Sequence, residues 1–144
     1  MDGEFLCEET FGTVKGVAGG NLILMGIDPA GTLEAAESAV AAMRQCPEVI
    51  LSSPQGIARS GSKVGSKNKS LRASTNTAFA PTLRGVVGTE MPAEARCAYE
   101  IVIDGLSLEA VERTTAAGLR AAASKPAAVA RSTASRLSPS ITIS

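Results

Sequence analysis

No histidine occurs among the 144 residues. A Ser/His/Asp triad, a Cys/His pair, an H-E-x-x-H zinc helix and a histidine proton relay are therefore beyond this chain alone. Tryptophan is also absent, and one Tyr with three Phe brings the aromatic share to only 3%. The core must be built from Ala, Val, Leu and Ile. The three cysteines, Cys7, Cys46 and Cys97, are an odd number without C-x-x-C spacing, which fits neither a disulfide framework nor a zinc site. Each is expected to be a small buried hydrophobe in a reducing cytoplasm, and no metal is expected. No run approaches the roughly 18 apolar residues of a membrane span. The acidic start Met1-Asp-Gly-Glu4 is not a secretory leader, so the expectation is a soluble, cytoplasmic protein without a membrane partner. Net charge is missing as well. Fourteen basic residues balance 14 acidic ones, which removes global attraction to nucleic acid or membranes.

What is present is a hydrophobic content of 44% and a mean hydropathy of +0.15, far from the disordered regime and at the size of one domain. The charges fall in blocks. Residues 1–50 hold eight acids and two bases, 51–84 six bases (Arg59, Lys63, Lys67, Lys69, Arg72, Arg84) and no acid, 85–112 six acids and one base, and 113–144 five bases and no acid. Such blocks create local potentials that a net charge hides.

The apolar run Asn21–Ile27, entered through Gly19-Gly20, predicts a buried strand. Asp28 caps the following helix with Pro29 at its first position, and Leu33, Ala36, Val40 and Met43 form its apolar stripe until Cys46-Pro47. Glu48–Leu51 and Cys97–Ile103 are further strands, with a long insert between them. Ser107 caps a second helix carrying Leu108, Val111, Thr115 and Leu119 on one face, closed by Lys125-Pro126, and Ala127–Ala130 is a last strand. Two strand-helix-strand units predict an α+β fold, the ferredoxin-like split β-α-β sandwich, an antiparallel sheet with two helices on one face. The other face is expected to stay apolar and uncovered, for an oligomer or a partner domain to bury. Residues 1–18 read as an N-terminal arm or hairpin, 19–130 as the lobe with its long basic insert 53–96, and 131–144 as an atypical tail.

Two features carry candidate chemistry. The insert from Ser53 to Asn76 places Gly56, Gly61 and Gly65 among hydroxyls and bases, the composition of an anion cradle in which backbone N–H groups, Ser and Thr donors and Lys charges face phosphate or carboxylate. A solvated basic loop has the same composition. It is neither a Walker A loop nor a dinucleotide fingerprint, and without aromatics between the bases it offers nothing for base stacking, so no nucleic-acid partner is expected. Glu100 is the second feature. On its strand Tyr99, Ile101 and Ile103 share one face and Ala98, Glu100 and Val102 the other. A carboxylate among apolar neighbours is either poised for acid/base work or an exposed glutamate on a half-wet strand. Glu4, Glu8, Glu9, Glu90 and Glu94 read as solvated surface.

Six segments, in order, carry a resemblance: Met1-Asp-Gly-Glu-Phe5, Val17-Ala-Gly-Gly-Asn-Leu-Ile-Leu-Met-Gly26, Ser60-Gly-Ser-Lys-Val-Gly-Ser-Lys67, Leu71-Arg-Ala-Ser-Thr-Asn76, Pro81-Thr-Leu-Arg84 and Tyr99-Glu-Ile-Val-Ile-Asp-Gly105. Over residues 1 to about 130 the chain resembles the formylmethanofuran:tetrahydromethanopterin formyltransferases. The resemblance implies the distal, C-terminal lobe of a two-lobe enzyme whose lobes are both ferredoxin-like, present as a fragment with the proximal lobe missing. It further implies transfer of a formyl group from formylmethanofuran to N5 of tetrahydromethanopterin, in formaldehyde oxidation or methanogenesis. Both coenzymes act as substrates, with no bound cofactor. The implied partners are copies of itself, in a dimer or tetramer, or a formyltransferase/hydrolase complex of which it is a subunit. Glu100 aligns with the family's proposed catalytic carboxylate, and Ser60, Ser62, Lys63, Lys67, Ser74, Thr75 and Asn76 fall in the substrate-binding loop. Asn68 and Ser70 replace family aromatics, and Gln55 replaces a common glycine. After Val129 the tail departs from the family's Gly-rich sequence, which fits a shifted reading frame. The resemblance implies an enzyme whose activity depends on the missing lobe and on oligomer contacts, so the fragment is expected to be inactive or incomplete alone. The competing expectation is a non-catalytic ferredoxin-like ligand-binding or assembly module that keeps the fold only.

Overall fold

The structure is a computed structural model that describes residues 3–4, 6–7, 9–10, 19–59, 77–125 and the backbone of 129–133. Strand β1 (Gly20–Gly26) leads into helix α1 (Pro29–Met43), then β2 (Val49–Leu51) and β3 (Ala58–Arg59); after the insert come β4 (Cys97–Gly105), helix α2 (Leu108–Ala123) and β5 (Val129–Thr133). The sheet runs β2-β4-β1-β5 with β3 also on β4, and every neighbouring pair is antiparallel. This is the ferredoxin-like α+β architecture expected from the sequence.

Local chemistry starts both helices. Asp28 Oδ2 accepts from the Gly31 N–H at 2.7 Å with Pro29 at the helix start, and Ser107 Oγ accepts from the Ala110 N–H at 3.1 Å. In α2, Glu109 in the first turn and Arg120 in the last suit the helix dipole. The helix–helix contact departs from the expected stripe. Of Leu108, Val111, Thr115 and Leu119 only Val111 is buried, while Ala110, Thr114, Gly118 and Ala122 line the buried face and Leu108 is exposed. The reason is close approach: a Cβ on Gly118 would collide with the Met43 side chain of α1, so this face selects small residues over large ones. Likewise α1 buries Thr32, Ala35 and Ala39 beside the expected Ala36, Val40 and Met43, and ends at Met43, before Cys46-Pro47.

Strand alternation divides the core in two. Leu22, Leu24, Ile101 and Ile103 face the helices with Ala35, Ala36, Ala39, Val40, Met43, Val111 and Ala122. Ile23, Met25 and Ala98 point the other way and are covered by Phe79, Met91 and Ala95 of the insert. The second face is therefore not left bare, as the sequence led us to expect, but capped over the Met25–Ala98 end by residues 77–95. Arg84 pins this cap, donating to the carbonyls of Pro92 (2.9 Å), Ala93 (2.8 Å) and Ala95 (2.9 Å).

Candidate functional site

Glu100 lies in the middle of β4, hydrogen-bonded to neighbours on both edges of that strand. In register it stands between Ile23 of β1 and Ala58 of β3. The expected alternation holds, and Glu100 shares the second face with Ala98 and Val102, half-buried where the apolar cap gives out. Asn21, diagonal to it across the β1–β4 ladder, donates from Nδ2 to Glu100 Oε1 at 2.8 Å. An amide-to-carboxylate bond is charge-assisted and fixes the carboxyl group in orientation. The sequence reading passed over Asn21. Its signal was an asparagine, a poor strand former, opening an apolar strand pattern directly after two glycines.

β3 is the second element that the sequence pattern missed. Between the pairs Leu51↔Ile103 and Ala58↔Glu100 the edge chain uses seven residues where β4 uses three. The excess is taken up by the turn Pro54–Gly56, in which Gln55 has φ 57° and Gly56 φ 85°. A glycine at position 55, which the resemblance implies for the family, would suit this left-handed backbone. The chain then pairs Ala58 with Glu100, leaves β3 at Arg59, and is next described at the turn Thr77–Phe79, whose Phe79 packs with Ile23 and Met25. Both ends of the basic segment are thereby anchored in or beside the row that carries Glu100. The expected binding residues Ser60, Ser62, Lys63, Lys67, Ser74, Thr75 and Asn76 lie outside the described residues. Arg84, read as one base of the same block, has its guanidinium on three carbonyls and serves the cap.

A cleft of about 270 Å³ lies between α1 and the β3 edge, lined by Leu33, Glu37, Pro54, Gln55, Ile57, Ala58 and Tyr99. Tyr99 points to the helix face, its hydroxyl 3.4 Å from the Pro29 carbonyl, so the cleft and the Glu100 carboxylate do not form one site. The cysteines are not all buried. Cys7 is exposed, and Cys46 and Cys97 are half-buried. Cys97 Sγ lies 3.2 Å from the Gly26 carbonyl and 3.3 Å from Thr32 Oγ1, which ties β4 to the start of α1. Glu4, Glu9, Glu90 and Glu94 are exposed as expected, and Glu8 lies outside the described residues. Among the described residues no helix is long and apolar enough to cross a membrane.

A family model described as "FTR, proximal lobe" matches residues 3–137. It corrects the expectation of a distal lobe. If both lobes are ferredoxin-like, as the resemblance implies, fold and strand order cannot tell them apart, whereas the match does. A formylmethanofuran–tetrahydromethanopterin formyltransferase of Methylococcus capsulatus is 52% identical over 122 residues, 85% of this chain and 41% of the relative. The solved formylmethanofuran:tetrahydromethanopterin formyltransferase of Methanosarcina barkeri superimposes with a TM-score of 0.66 at 39% identity, covering 77% of this chain and 38% of that one. The formyltransferase/hydrolase complex of Methylorubrum extorquens, solved with methylofuran, matches with a TM-score of 0.62 at 48% identity, over 73% of this chain and 34% of that one. The chain spans about two fifths of the length of the relatives it matches.

Proposed function

The chain belongs to the formylmethanofuran–tetrahydromethanopterin formyltransferase family, and on that premise we propose that it carries the acid/base residue and a substrate loop for formyl transfer from formylmethanofuran to N5 of tetrahydromethanopterin. Both coenzymes are substrates in this reading. The observation that carries it is Glu100, half-buried at the edge of an apolar patch, oriented by Asn21 and paired in register with the strand from which the basic segment departs.

The N5 lone pair attacks the formyl carbon, and the carbonyl oxygen takes the negative charge of the tetrahedral intermediate. Glu100 accepts the proton that N5 gives up and delivers it to the methanofuran nitrogen as its bond to carbon breaks. Ser60, Ser62, Lys63, Lys67, Ser74, Thr75 and Asn76 would hold the acidic ends of the coenzymes by charge-assisted hydrogen bonds. The lobe proper spans 19–130, with an arm before it and the tail 131–144 after it. Its partners are copies of itself or the subunits of a formyltransferase/hydrolase complex, in the cytoplasm.

The test is formyl transfer by the full chain, supplied with both coenzymes, against Glu100→Gln. That variant keeps an acceptor for Asn21 and removes the titrating oxygen. It is expected to lower kcat by about a hundredfold or more; an unchanged kcat would overturn the role of Glu100. Binding of tetrahydromethanopterin without transfer would favour the ligand-binding module.

A further inference from the structure

β1 opens on two glycines that bring it hard against its neighbours. Gly19 has φ +139°, and a Cβ there would collide with the carbonyl oxygen of Ile103; a Cβ on Gly20 would stand 3.1 Å from Val111 Cγ1. This close entry fixes the register in which Asn21 pairs with Val102, on the face that carries Glu100. The direct partner of Asn21 is thus apolar, and its amide turns to the diagonal position, where Nδ2 meets Glu100 Oε1 at 2.8 Å. The amide NH₂ is the donor and the carboxyl oxygen the acceptor.

We infer that Asn21 is a positioning residue for formyl transfer. Its amide holds one oxygen of Glu100, sets the plane of the carboxyl group, and presents the carboxylate to the incoming amine in one orientation. The inference rests on the reading of Glu100 as the proton carrier. An amide suits this task because it donates without titrating. It remains the same donor before the proton arrives and after it leaves, whereas a lysine at this position would hold Glu100 ionised and weaken it as a base.

The test compares Asn21→Ala, Asn21→Asp and Asn21→Ser in the full chain. Ala removes the donor, Asp replaces it with a second carboxyl that repels Glu100 or shares a proton with it, and Ser restores a shorter donor. Loss of the donor is expected to lower kcat about ten- to hundredfold while KM for tetrahydromethanopterin is unchanged, with Ser recovering part of the loss. A merely structural role would move KM and thermal stability together with kcat, without rescue by Ser. Full kcat in Asn21→Ala, where Glu100→Gln is inactive, overturns the positioning role and leaves the formyltransferase reading standing. Full activity in Glu100→Gln overturns that reading, and the inference with it. Independently of turnover, the Asn21 side-chain amide signals in ¹H–¹⁵N spectra are expected to shift in Glu100→Ala. Signals that stay in place would mean that the hydrogen bond is not made in solution, and the inference would fall.

Discussion

On the face turned to the helices, the strands contribute large side chains, Leu22, Leu24, Ile101 and Ile103, and the helices contribute mostly small ones, Ala35, Ala36, Ala39, Ala122 and the bare surface of Gly118. Two regular elements can then lie close and fill the space without voids. On the opposite face the cover formed by the described residues is a stretch of three-residue turns and loop, held by Arg84, over the Ile23–Met25–Ala98 end. Beyond its edge the same face carries Asn21, Glu100, Val102 and Asp104, all half-buried. The polar pair therefore stands at the boundary of an apolar cap, in place of a sealed core or a freely solvated surface. The carboxylate there is half-buried and oriented by Asn21.

The comparison is broken most directly by truncating one residue on each face. Leu24→Ala, fully buried against the helices, is expected to cost about 3 kcal/mol or more, because packed helices cannot close the cavity. Met91→Ala, in the irregular cap and 7% exposed, is expected to cost about 2 kcal/mol or less, because a loop can settle into the gap. Urea unfolding of the two variants checks this, and equal losses would mean that the cap is as rigid as the helix layer.

Much of the helix layer was legible in the sequence because its determinants are local. Asp28-Pro29 and Ser107 announced their helix starts, and the alternation along residues 97–103 placed Glu100 on the correct face. The stripe of α2 was misread because it was sought among large residues, whereas close contact with Met43 selects Ala110, Thr114 and Gly118. The cap could not be read. Nothing in residues 77–95 marks Phe79 and Met91 as core, or Arg84 as the clasp of three carbonyls, since these contacts are set by tertiary placement. β3 escaped for a related reason: two residues carry no period, and only the open edge of β4 makes them a strand. Of the candidate site, the face that carries Glu100 follows from the strand pattern, whereas the contact with Asn21 does not, because a diagonal cross-strand contact depends on register.

The difference between the faces sharpens at Arg84. Arg84→Ala removes three hydrogen bonds from a charged donor, but the residue is exposed and water competes, so a global loss of about 1 kcal/mol is expected. The informative effect is local. The amides of Glu90, bonded to the Ala78 carbonyl at 2.9 Å, and Arg96, bonded to Gly26 at 2.8 Å, should exchange faster with solvent while those of α1 and α2 do not change. Loss of protection in both helices as well would show that cap and helix layer open as one unit.

The smallest expected effect is a gain, and it concerns the edge that leads toward the site. Gln55 adopts φ 57° and ψ 11°, a left-handed conformation that costs a residue with a Cβ about 1 kcal/mol. Gln55→Gly removes that strain but gives the unfolded chain more freedom to lose, so the net stabilisation is expected to be about 0.5 kcal/mol. The adjacent position sets the control. Gly56 has φ +85°, and a Cβ there would lie 3.0–3.2 Å from Val40 and Leu51, so Gly56→Ala must destabilise. Opposite signs at two neighbouring residues, read from the shift of the urea midpoint, would establish that backbone conformation decides this turn. A loss in Gln55→Gly would instead mean that the Gln55 side chain, which lines the cleft with Leu33, Glu37 and Tyr99, holds the edge strand against α1 by contacts worth more than the strain it carries.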